Sequence, residues 1–133
     1  MKYLLDTNIC IYLMNKRPKA VVRKFRQLDI GDIGISSITV SELHYGASKS
    51  KHVDENLHRL FTFLLPFEVL PYDEAAATAY GEIRAELERR GEIIGPLDLL
   101  IAAHAVSRGL TLVTNNIREF QRVPNLVVEN WIP

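Results

Sequence analysis

The apolar and polar positions of this chain fall into blocks whose period switches between that of a strand and that of a helix. Tyr3-Leu4-Leu5 is a short apolar run ending at Asp6, which predicts a buried strand. Thr7 or Asn8 is placed to cap a helix carrying Ile9, Ile11, Tyr12 and Leu13. Pro18 suits the first turn of a second helix, with Val21, Val22, Phe25 and Leu28 on one face. Asp32 to Ser36 reads as a second strand. Ser36, Ser37 or Thr39 then caps a helix bearing Val40, Leu43 and Tyr45 that stops near Gly46. Residues 53–65 carry Leu57, Leu60, Phe61 and Leu64 at helical spacing, and 67–70 form a strand before Pro71. Asp73 caps a long helix that turns Ala76, Tyr80, Ile83 and Leu87 inward and closes at Gly91.

The stretch from Pro96 to Ser107 is apolar nearly all round, so it belongs in the middle of the protein. Asp98 nevertheless sits in its first turn. Gly109 ends it, Leu110 to Val113 forms a buried strand, and Val127-Val128 is the last strand candidate. Strands alternating with helices imply an α/β fold with a mainly parallel sheet covered on both faces. In such sheets ligands bind beyond the carboxyl ends of the strands.

Composition narrows the class. The 133 residues fit one domain, and 47% hydrophobic content excludes a disordered chain. No apolar run approaches the roughly 20 residues of a membrane helix, and no signal peptide opens the chain. The single Cys10 has no partner for a disulfide or a thiolate metal clip and reads as a small core residue. A cytoplasmic protein is the expectation. The net charge is zero, yet Lys16, Arg17, Lys19, Arg23, Lys24 and Arg26 form one stretch without an acid among them. That stretch is either a patch for phosphates or a solvated helix face.

The strand-end rule draws attention to Asp6, Glu42, Asp98, Asn115, Asn116 and Glu119, all of which a parallel sheet would bring towards one edge. Each acid alone has a plain structural reading. Asp6 is a helix cap, Glu42 a solvated residue or capping-box partner of Thr39, and Asp98 an acid favoured near a helix N-terminus. Gathered in one pocket, they would repel and raise one another's pKa unless a divalent cation intervened. Hard oxygen ligands select magnesium or manganese over zinc. Such a metal lowers the pKa of its water and neutralises a scissile phosphate, which suggests phosphodiester hydrolysis. No Walker loop and no Gly-x-Ser-x-Gly elbow is present. Of the histidines, His52 and His58 read as exposed on one helix, and His44 and His104 as packing residues.

At this point the residues resemble a known family. Leu4-Leu5-Asp6-Thr7-Asn8 resembles the opening of PIN domains, and 37–43 with Tyr45-Gly46 their second motif. Residues 94–105 resemble the third motif, and 112–116 through Glu119-Phe120 the fourth. Within PIN domains the chain is similar to the VapC toxins of bacterial toxin–antitoxin pairs, particularly their enterobacterial-type branch. The resemblance covers residues 1–133 as a single PIN domain. It implies a three-layer α/β/α sandwich and a magnesium-dependent endoribonuclease in which manganese substitutes. Asp6, Glu42 and Asp98 match the acidic metal positions. Asn116 stands where many members carry Asp, with Glu119 following, so one or two metals remain open. Thr7, Asn8, Thr114 and Asn115 match the polar lining, and Lys16, Arg17 and Lys19 are placed to hold RNA. The branch implies cleavage of initiator tRNA in its anticodon loop, a homodimer, and control by a VapB-type antitoxin that alone carries any operator contact. The antitoxin's segment is expected on the apolar faces between Val21 and Leu28 and between Leu57 and Leu65.

Two other readings are weighed against this. A haloacid-dehalogenase-type phosphatase also starts with a strand and Asp, but wants a second acid where Asn8 stands. A non-catalytic binding module would make Asn116 the mark of a decayed site; the presence of Asp6, Glu42 and Asp98 argues against it.

Overall fold

A computed structural model describes residues 1–132. In chain order the elements are β1 (Tyr3–Leu5), α1 (Thr7–Asn15), α2 (Lys19–Arg26), a 3₁₀ turn (Ile30–Asp32) and β2 (Ile33–Ser36). Then come α3 (Ser37–Ser48), α4 (Val53–Leu64), β3 (Glu68–Leu70), α5 (Glu74–Arg89) and α6 (Pro96–Arg108). The chain finishes with β4 (Thr111–Val113), α7 (Ile117–Phe120) and β5 (Val128–Glu129). The strands form one sheet in the order β3-β2-β1-β4-β5, and every pairing is parallel.

Alternation along each strand divides the core into two halves. Leu4, Leu70 and Leu112 point to one face and pack with Ile83, Leu87, Ile101 and Phe120 from α5, α6 and α7. Leu5, Ile35 and Val113 point to the other and pack with Ile9, Leu43 and Leu60 from α1, α3 and α4. Because a strand's side chains alternate, both faces of a three-residue strand can be apolar only if helices cover both. The result is the three-layer α/β/α sandwich. Phe120 is fully buried in the first half. Phe120→Ala should lower unfolding free energy by about 3–5 kcal/mol, read as a fall in the urea midpoint at unchanged slope.

Local chemistry departs from the expected pattern at several ends. Asp6 itself, and neither Thr7 nor Asn8, caps α1, with its carboxylate accepting from the Thr7 N–H. Pro18 stands at the N-cap of α2 and Leu28 lies beyond its end. Ser36 caps α3 by accepting from the Ile38 N–H, and that helix continues past Gly46 to Ser48. Tyr45 and Phe61 are exposed, while Cys10 is core. The exposed His44 is no packing residue, because α3 buries Thr39, Leu43 and Ala47 at four-residue spacing and His44 falls off that stripe. His52 and His58 are exposed, with His52 just ahead of α4. His104 is fully buried: Nδ1 lies 2.7 Å from Ser36 Oγ, and Nε2 has no hydrogen-bond partner among the described residues. Burial pushes its pKa down, which favours the neutral ring. Gly109 closes α6 in the left-handed conformation at φ 64°, which explains the abrupt stop. No helix among the described residues is long and apolar enough to cross a membrane.

Candidate active site

The chain leaves β1 towards β2 on one side and returns later to place β4 on the other. The carboxyl ends of β1 and β4 therefore flank the point where strand order reverses, where an open α/β sheet forms its crevice. Asp6 ends β1 there and is 4% exposed. Its Oδ1 accepts from the Thr7 N–H at 2.8 Å, and its Oδ2 accepts from the Thr114 hydroxyl at 2.8 Å. Thr114, fully buried just beyond β4, also accepts from the Asn116 N–H at 2.9 Å. One hydroxyl thus holds Asp6 and shapes the turn into α7.

Glu42 enters from α3. Its Oε1 accepts from the Thr7 hydroxyl at 2.7 Å, and Thr7 Oγ1 lies 3.4 Å from the buried Thr39 Oγ1. The carboxylate is turned into the crevice, away from any capping role. Asp98 comes from the first turn of α6. Burial pushes its pKa up to about 6, reinforced by the charges of Asp6, Glu119 and Glu42. Burial likewise raises Asp6, against the opposing hydrogen bonds from Thr114 and Thr7. Glu119 on α7 faces Asp98 and lies 3.4 Å from the Asn116 side-chain nitrogen. The charge absent at Asn116 is therefore supplied one helical turn later.

Four carboxylates share this crevice, and no Lys or Arg forms an ion pair with any of them among the described residues. No group of three or more His, Cys, Asp or Glu side chains is arranged to hold a metal ion among those residues. The donor set is all oxygen, part-buried and unneutralised. That chemistry fits a hard divalent cation.

The other anticipated residues separate into two groups. Asn115 is exposed and donates from Nδ2 to the Tyr12 hydroxyl at 3.1 Å, tying α1 to the loop after β4. Asn8 is exposed in the first turn of α1. Arg17 and Lys19 share a cleft with Tyr12, and Lys16 faces a second depression with Lys19, Arg23 and Arg26. Tyr12 and Thr39 join the site without having been anticipated. Nothing in the sequence distinguishes them from ordinary core positions of α1 and α3.

The fold and the acid cluster together define a PIN-type nuclease site. The PIN domain family matches residues 3–126. The chain is 50% identical over 131 residues to the tRNA(fMet)-specific endonuclease VapC of Shigella flexneri, covering 98% of each. It is 49% identical over 132 residues to the ribonuclease VapC2 of Rickettsia felis, again covering 98% of each. Among solved structures it matches a chain of the DNA-bound VapBC complex of Salmonella typhimurium with a TM-score of 0.94, at 46% identity over 99% of both chains. With that identity along its whole length, the chain belongs to the VapC family of PIN domains. These relatives favour the nuclease reading over the phosphatase and the non-catalytic module.

Proposed function

We propose that residues 1–133 form one PIN domain acting as the toxin of a toxin–antitoxin pair, a magnesium-dependent endoribonuclease that manganese also supports. Its target is tRNA, with the initiator tRNA anticodon loop as the specific site, so that cleavage stops translation in the cytoplasm. The observation that carries this reading is the unneutralised quartet Asp6, Glu42, Asp98 and Glu119 at the reversal point of a parallel sheet. The names of the Shigella and Rickettsia relatives support the choice of RNA and of tRNA.

Asp6, Asp98 and Glu42, with help from Glu119 or Asn116, would hold a divalent cation, which would supply positive charge for the scissile phosphate and a water of lowered pKa. Thr114 fixes the Asp6 carboxylate by donating to Oδ2, and Thr7 fixes Glu42 by donating to Oε1. Both acids are thus aimed before any ligand arrives, which spares the site reorganisation during reaction. Water attacking phosphorus in line would form a new P–O bond as the P–O3′ bond breaks, its proton passing to solvent and the leaving 3′-oxygen taking one up, to give a 5′-phosphate and a 3′-hydroxyl. Lys16, Arg17 and Lys19 hold the RNA backbone at the rim.

Thr114→Val keeps the shape of the side chain but removes its hydroxyl. It should weaken metal binding by about 10- to 100-fold, measured by calorimetry, because an orienting partner is lost. Asn116→Asp should keep or raise metal affinity, because it adds a charge beside Glu119. A sharp loss of affinity would mean that the amide has a separate role.

A VapB-type antitoxin would neutralise the enzyme and alone contact operator DNA. On the expected apolar faces Val21 and Leu60 are core, whereas Phe61 and Leu65 are exposed. What the fold leaves open is a cleft of about 340 Å³ between α1, α3 and α4. Ile11, Met14, Leu43 and Ala47 line it, with Glu42 at its edge. A peptide lying there reaches the acids directly. The active unit is a homodimer.

The test is incubation of the protein and its Asp98→Asn variant with total bacterial tRNA and magnesium or manganese, with and without chelator. Discrete, metal-dependent cuts with 5′-phosphate ends from the unmodified protein alone are expected. Equal cleavage by the variant would sink the assignment.

A further inference from the structure

We propose that the cleft beside the acids, lined by Tyr12, Asn15, Arg17, Pro18 and Lys19, receives one unpaired nucleotide flanking the scissile phosphate. Tyr12 and Asn15 meet its base, and Arg17 and Lys19 meet its phosphate. The proposal rests on the ribonuclease reading and names the residues that determine which RNA is cut.

The geometry begins at the acids. Thr114 donates to Asp6, and the next residue, Asn115, donates to the Tyr12 hydroxyl at 3.1 Å. The aromatic wall of the cleft is therefore fixed to the acid cluster through two consecutive residues. Tyr12 and Asn15 are three apart on α1, so they face the same side. Tyr12 spends its acceptor on Asn115, and its own O–H finds no protein acceptor among the described residues. Asn15 spends its amide oxygen on Arg59 at 3.2 Å, which leaves its NH₂ group to donate. Both side chains thus present donors to whatever enters, matching the acceptor atoms on a base edge.

The cations complete the site. Lys16, Arg17, Lys19, Arg23 and Arg26 form no ion pair among the described residues. By contrast Arg84, Arg89 and Arg90 are all paired with glutamates. No acid lines this cleft or the neighbouring depression that shares Lys19. A ring, two donors and unpaired cations suit a splayed-out nucleotide, whereas paired bases would hide their edges.

The experiment is an abasic scan. A single-stranded RNA that the protein cuts is prepared with one base removed at each position around the cut. Cleavage is measured for the unmodified protein, Tyr12→Phe, Asn15→Ala and Lys19→Ala. In the unmodified protein, removing one flanking base should cost about tenfold in kcat/KM. With Asn15→Ala the rate on intact RNA should fall and loss of that same base should then cost little, whereas Tyr12→Phe, which keeps the ring and loses the hydroxyl, should retain only part of that sensitivity, as expected of coupled partners. Lys19→Ala should reduce the salt slope of binding by about one. Full sensitivity to base removal in both variants, or no sensitive position at all, overturns the proposal while leaving the nuclease intact. If no RNA is cut, the ribonuclease reading fails instead. The same scan is then read as RNA binding by anisotropy with Asp98→Asn, and base-independent binding again overturns the cleft assignment.

Discussion

Asp98→Asn is expected to lose RNA cleavage by about a thousandfold or more and, at the same time, to melt higher than the unmodified protein when no metal is present. Both effects follow from one cause. Burial and the charges of Asp6, Glu119 and Glu42 hold the Asp98 pKa at about 6, above its ordinary 3.8. Between these two values the folded protein carries more proton than the unfolded chain, so stability falls as pH rises through that window. Below about pH 4 the group is protonated in both states and the penalty vanishes. Above about pH 6 it is fully expressed. The side chain is only half-buried, so solvent screening reduces the penalty to on the order of 1 kcal/mol. An amide of the same shape carries no charge and escapes it. Thermal melts in chelator from pH 4 to 8 should show the variant's advantage appearing as pH rises; equal melting temperatures at pH 7.5 would refute the account.

Magnesium should reverse that order. A cation among the four acids binds the folded chain and has no assembled site on the unfolded one. At about 100 times its dissociation constant it adds about 2.7 kcal/mol. For a domain of this size that corresponds to a rise in melting temperature of roughly 10 °C. The Asp98→Asn variant, lacking a ligand, should gain far less. Calcium or manganese can replace magnesium in the melt, which separates binding from catalysis. A melting temperature indifferent to every divalent ion would show that the acids hold none.

The sequence made much of this site legible because its acids sit at punctuation marks. Asp6 follows three apolar residues, Asp98 interrupts the most apolar helix, and Gly109 leaves only one way to close it. Those signals are local, and locally determined features survive folding. What was hidden depends on contacts distant in sequence. Thr7 rather than Thr39 became the partner of Glu42, across 35 positions. Asp6 caps α1 with one oxygen while the other accepts from Thr114, 108 positions away, and that second bond has no local signal. His104 looks like any core residue of an apolar helix, and only the packed structure shows it set against Ser36, the cap of α3. The exposure of Phe61 was equally hidden, since helical spacing reports which residues share a face without saying whether a neighbour covers it.

The bond between Thr114 and Asp6 joins residues 108 positions apart, and β1 has no β4 beside it until nearly all of the chain exists. During synthesis the growing chain can pair β1 with β2 and bury part of α1, but Asp6 remains loose and Glu119 has not yet been made. A partly made chain therefore has no assembled acid cluster. The crevice can close only once β4 and α7, the last elements to flank Asp6, have left the exit tunnel.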